Sequence, residues 1–147
     1  MNSAVTVELR LVPSLRALKI ISTLHILPLA ALPFAMQPGP ALWVLIAAFG
    51  GSWFWLRRHA AFGFGPKALV RLIWHADDRW TVHEASGAQH AATLRGDSTR
   101  HPQGLILRYD LQGGGTRTRV IAGDEVDADS LRRLKARLSV WQPPPKP

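Results

Sequence analysis

Residues 20–56 read IISTLHILPLAALPFAMQPGPALWVLIAAFGGSWFWL. They contain no Asp, Glu, Lys or Arg, and Gln37-Pro38-Gly39-Pro40 divides them into apolar halves at 20–36 and 41–56. A helix rises about 1.5 Å per residue, so each half covers roughly 24–26 Å. A hydrocarbon core is about 30 Å thick, a shortfall that Arg16, Lys19, Arg57 and Arg58 meet by extending their charged tips toward headgroups. The stretch predicts a two-helix transmembrane hairpin. A cleaved signal peptide would need a small-x-small cleavage site, and none follows convincingly. A buried helix of a water-soluble domain would show a polar face, and neither half does.

The flanks give the hairpin a direction. Arg10, Arg16 and Lys19 precede it, Arg57-Arg58-His59 follow it, and the turn carries no charge. Lys and Arg near membrane-helix ends stay on the cytoplasmic side, so both termini are expected inside and the turn outside. The expected location is the inner membrane, multi-pass. Trp43 falls near the outer end, Trp53 and Trp55 near the inner one, where aromatic rings favour the interface. Ala31 with Ala35, and Ala47 with Gly51, offer a four-residue small-side-chain packing seam. Pro28 and Pro33 are expected to kink the first helix.

Outward from the hairpin, residues 1–19 read as a cytoplasmic lead, 67–142 as a cytoplasmic domain and 143–147 as a proline-rich tail. After Gly63-Phe64-Gly65-Pro66 the apolar run gives way to alternation. Strands are predicted at 67–75, with Val70, Leu72 and Trp74 on one face, and at 79–84, 91–95, 104–111 and 116–122. Asp77-Asp78 and Gly113-Gly114-Gly115 supply turns. Asp127 or Asp129 caps a closing helix whose stripe is Leu131, Leu134, Leu138 and Trp141. The fold class is an α+β membrane protein: a transmembrane hairpin, then a small, bent antiparallel sheet with a C-terminal helix.

Composition excludes several kinds of chemistry. Of 18 Lys and Arg residues, 13 follow Pro66, as do nine of ten acids, which leaves that part at about +4 of a total of +8. No nucleic-acid-binding motif accompanies this charge, and attraction to an anionic lipid surface accounts for it. Cysteine is absent, so disulfides and thiol chemistry are excluded. His75, His83, His90 and His101 lack metal-ligand spacing, so neither metal nor cofactor is expected. His25, inside the apolar run, is read as a helix–helix hydrogen-bonding group. Asp97, Ser98 and His101 form a loop cluster before Pro102, not a triad. The chain is read as non-enzymatic. Arg108, Arg117 and Arg119 on paired strands, with Arg132, Arg133 and Arg137 on the closing helix, are the candidate surface for a partner or for lipid.

The pieces in this order resemble the YgfX family, small proteobacterial inner-membrane proteins also described as membrane-bound toxins of the CptA type. The resemblance runs through Val7-Glu8-Leu9-Arg10-Leu11-Val12-Pro13-Ser14, the arginine-ended hairpin, the Trp80 strand, and the acidic lead and arginine-rich helix from Asp124 to Leu134. It implies the toxin component of a toxin–antitoxin pair. The implied partners are a small soluble flavinylation factor acting as antitoxin and the cytoskeletal polymers of division and cell shape. The proline-rich tail and the 113–115 turn depart from the pattern. An anionic-lipid-binding or membrane-assembly module without toxicity is the alternative these residues also fit.

Overall fold

A computed structural model describes residues 6–101 and 104–142; the tail expected at 143–147 and the first five residues of the lead lie outside them. The chain is α+β: two helices, a curled antiparallel sheet and a C-terminal helix. Strand β1 is Val7–Arg10, helix α1 Leu15–Ala35 and helix α2 Pro40–Leu56, followed by a short 3-10 turn at Ala60–Phe62. Strands β2 Leu69–Trp74, β3 Trp80–Glu84, β4 Gln89–Leu94, β5 Thr99–His101, β6 Gly104–Leu111 and β7 Thr116–Ile121 come next, then α3 Ala128–Val140.

The sheet runs β1-β2-β3-β4-β6, with β5 on the same edge of β6 as β4 and with β7 on the other. Alternation builds its core. On β6, Leu105, Leu107, Tyr109 and Leu111 are buried and the residues between them are not. Trp74 stacks on Trp80 with centroids 4.7 Å apart, and Trp80 meets Tyr109 edge-on at 5.2 Å. The Asp77-Asp78 turn forms as expected, with Asp78 at φ 61° and its carboxylate accepting the Trp74 indole N–H at 3.1 Å. On β2 the inward residue is Leu69, not Val70, because a bulge between Leu69 and Arg71 shifts the alternation by one. Asp127 caps α3, whose Leu134 and Leu138 are buried on the sheet with Leu131 and Trp141 packed beside them.

The lead expected before the hairpin contains a strand. Val7–Arg10 pairs antiparallel with β2, and Leu9 and Leu11 are core residues. The hairpin is therefore an insertion within the sheet domain. Its two ends are adjacent, since the Ser14 N–H donates to the Phe62 carbonyl at 3.1 Å.

Among the described residues one helix, α1, is long and apolar enough to cross a membrane. The expectation of two full spans is reduced accordingly: α2 is apolar but has 17 residues, about 26 Å of helix. The expected small-residue seam does not form the helix contact either. Ala31, Ala35, Ala47 and Gly51 are exposed, and a Cβ on Gly51 would meet nothing within 4 Å. The face that α2 covers carries Leu42, Ile46, Phe49, Trp53 and Leu56, the ordinary helical stripe, so large side chains make the contact. Two polar links cross it. His25 Nε2 lies 3.1 Å from Ser52 Oγ, and the Trp53 indole donates to Ser22 Oγ at 3.2 Å. The Ile21 carbonyl accepts from His25 Nδ1 at 2.8 Å, which leaves Nε2 to accept from Ser52 when the ring is neutral. The outer faces are apolar, with Leu27, Phe34, Trp43, Val44 and Trp55 all exposed.

Candidate functional site at the junction of hairpin and sheet

The hairpin meets the sheet where β1, the start of α1, the 3-10 turn and the β7–α3 connection converge. Pro13-Ser14 ends the extended chain, and the Ser14 hydroxyl caps α1 by accepting the Ala17 N–H at 3.0 Å. That hydroxyl donates in turn to one Asp124 oxygen at 2.9 Å, while the other accepts the Arg16 N–H at 2.7 Å. A carboxylate from the far end of the sheet thus sits on the positive end of α1. Burial opposes ionisation of Asp124, but the Arg16 N–H and the Ser14 hydroxyl outweigh it and hold the carboxyl below its ordinary value. Arg16 adds a bond from Nη1 to the Ala122 carbonyl at 3.1 Å.

Arg119 lies beneath this clamp, fully buried. Its Nη2 donates to the Val12 carbonyl at 2.6 Å, and the guanidinium packs under Gly63 so closely that a Cβ there would overlap Nη1. Gly63 sits at φ +92°, so it meets two demands at once: left-handed backbone and no side chain. Burial pushes the Arg119 guanidinium below its usual value, opposed by the carboxylates of Glu125 and Asp124. Glu125, itself buried, accepts the Ala122 and Gly123 N–H groups at 2.8–2.9 Å.

The six arginines expected to form one surface are dispersed. Register explains it. Arg117 lies opposite Tyr109 and Arg119 opposite Leu107, so both share the core face of β7 with Ile121, whereas Arg108 points to the other face. Arg117 pairs with the buried Glu84 at 2.6 Å. Burial alone would raise Glu84, but the hydrogen bond and charge of Arg117, with Ser86 and His90, hold it below its ordinary value. Arg108 pairs with Asp97 at 2.9 Å, and its backbone N–H donates to Ser98 Oγ at 3.1 Å. The Asp97–Ser98 cluster therefore bridges the interruption between β4 and β5. Arg137 packs over the Trp74 ring at 4.1 Å and donates to the His75 carbonyl at 2.6 Å. Arg132 and Arg133 remain on the outer face of α3, near Asp129.

A groove of about 710 Å³ opens on the hairpin side of the junction. Leu18 and Trp53 line it from the helices, Phe64 and Pro66 from the connection to β2, and Arg57 and Arg58 stand at its rim. Sequence reasoning found these two arginines as flanks of a span but gave no hint of the groove, which needs the β2 connection folded back on α1. The clamp had a legible signal in Pro13-Ser14 ahead of an apolar run, a helix start. Asp124 as its partner, 110 residues away, had none. Among the described residues no three His, Asp or Glu side chains gather as a metal-binding group. Comparison of the chain with protein-family models, curated proteins and solved structures gave no match in any of the three.

Proposed function

We propose that this chain is a non-enzymatic membrane protein that holds a small β-domain against the cytoplasmic face, where it docks protein partners. In this reading α1 crosses the bilayer and α2 returns beside it, with both termini cytoplasmic and the 37–40 turn outside. The observation that carries the proposal is the apolar exterior of the hairpin. Phe34 is 93 % exposed, and Leu27, Trp43 and Trp55 are each 64–70 % exposed, a surface that water does not tolerate at this extent. The Ser14–Asp124 clamp supports a fixed rather than a flexible tether. The short α2 is accommodated by tilt and local thinning of the bilayer.

The finer role is the one the YgfX resemblance implies: a toxin component neutralised by a small soluble flavinylation factor and acting on cytoskeletal polymers. Arg132 and Arg133, turned outward on α3, are the surface offered to an acidic partner. The test is overexpression of the full chain with and without the flavinylation factor of the same host, read as cell shape and growth, followed by co-purification of the two. Rounded or filamentous cells rescued by the factor, together with a stable complex lost in R132E/R133E, support the role. Normal growth and no complex contradict it.

A further inference from the structure

We infer that the groove beside Arg57 and Arg58 is a binding site for an anionic phospholipid of the phosphatidylglycerol type; the inference rests on the membrane placement proposed above. The two guanidinium groups are held in an unusual way. Arg57 lies over the Trp53 ring at 4.8 Å and Arg58 over the Phe54 ring at 4.0 Å. Stacking occupies the flat faces of a guanidinium and leaves its N–H edges open, the geometry that receives a phosphate in bidentate fashion. No acid lies between Glu8 and Asp77 in the sequence, and neither arginine pairs with a carboxylate among the described residues. Every other arginine pair at the junction or on β6 and β7 has an acidic or carbonyl partner close by.

Position and lining agree with that charge. Arg57 and Arg58 follow directly on the last turn of α2, at the depth where arginine tips reach headgroup phosphates. Below them Leu18, Trp53, Phe64 and Pro66 give the groove apolar walls, suited to the glycerol backbone and first methylenes of a lipid. The Trp53 indole is pinned by its bond to Ser22, so the wall is formed before a ligand arrives. Two adjacent cations favour a headgroup with net negative charge over a choline headgroup, whose ammonium one of them would repel. An extended acidic peptide would match the cations but not the apolar walls.

The test uses the full chain carrying W43F/W55F, reconstituted in phosphatidylcholine vesicles with a fixed fraction of acyl-brominated lipid, and W43F/W53F/W55F measured alongside so that the emission of Trp74, Trp80 and Trp141 is subtracted. Brominated phosphatidylglycerol is expected to quench the Trp53 emission about fivefold more effectively than brominated phosphatidylcholine. The preference is expected to vanish in R57Q/R58Q, to return in part in R57K/R58K, which restores charge without the planar fork, and to persist in R132Q/R133Q. Equal quenching by the two lipids overturns the groove site while leaving the membrane hairpin intact. Absence of quenching by either lipid overturns both. Loss of the preference on adding a soluble polyglutamate peptide overturns the lipid assignment in favour of a protein ligand.

Discussion

Ser14 and Asp124 lie 110 residues apart and are joined by a 2.9 Å hydrogen bond that ties the first turn of α1 to the end of the sheet. The same carboxylate takes the Arg16 N–H, so a single side chain decides how the hairpin leaves the domain. The hairpin is thereby oriented by the fold and not by a linker.

Asp124→Ala is expected to cost about 0.5–1 kcal/mol, the lower part of the range for loss of a helix cap, because Asp124 is exposed and the Ser14 cap remains. It should also raise protease sensitivity at the hairpin–sheet connection. Thermal unfolding in detergent with limited proteolysis checks both. The folded-state value of Asp124 lies below the unfolded one, so its contribution is complete above the ordinary carboxyl value. It is lost as the pH falls through the depressed folded value.

Gly63→Ala places a methyl group against the Arg119 guanidinium at a left-handed backbone position. A destabilisation of about 3 kcal/mol is expected, from overpacking and backbone strain together. Combining it with Arg119→Met should recover part of that loss, because the flexible thioether yields where the planar fork does not. Strict additivity in a double-mutant cycle would show that the two residues do not interact.

Arg117→Ala leaves the Glu84 carboxylate buried beside Ser86 and His90 without its main counter-charge. A loss of about 2 kcal/mol at neutral pH is expected. Glu84 is depressed in the folded state, so the wild-type advantage over Arg117→Ala should shrink as the pH falls through that depressed value. Denaturation midpoints of the two proteins across acidic pH measure it.

Residues 67–142 alone are expected not to fold stably, since they lack β1 and with it Leu9 and Leu11. Replacing 15–58 by a short flexible linker should instead yield a folded domain soluble without detergent, because Ser14 and Phe62 are already hydrogen-bonded. Circular dichroism and gel filtration of the two proteins decide the matter.

Much of this architecture is legible from alternation. β3, β6, β7 and α3 fall within a residue or two of the expected positions, because their apolar periods are uninterrupted. β1 was hidden for a topological reason: Val7, Leu9 and Leu11 alternate, but the partner strand lies beyond the whole hairpin. β5, three residues long, carries too little pattern to register. The arginines misled because charge is ordinarily turned to solvent. Arg117 and Arg119 share parity with Ile121, and that parity put them inside, where Glu84 and the junction receive them. The small-residue seam failed for a similar reason, since spacing alone does not say which face of a helix meets its neighbour.

The most direct test of the membrane hairpin uses the absence of cysteine from the chain. Single cysteines at Gln37→Cys in the turn and Asp97→Cys in the sheet loop are exposed to a membrane-impermeant maleimide on intact spheroplasts and after lysis. The account predicts labelling at 37 before lysis and at 97 only after it. Equal labelling of both before lysis, or protection of 37 until the cells are opened, would contradict it.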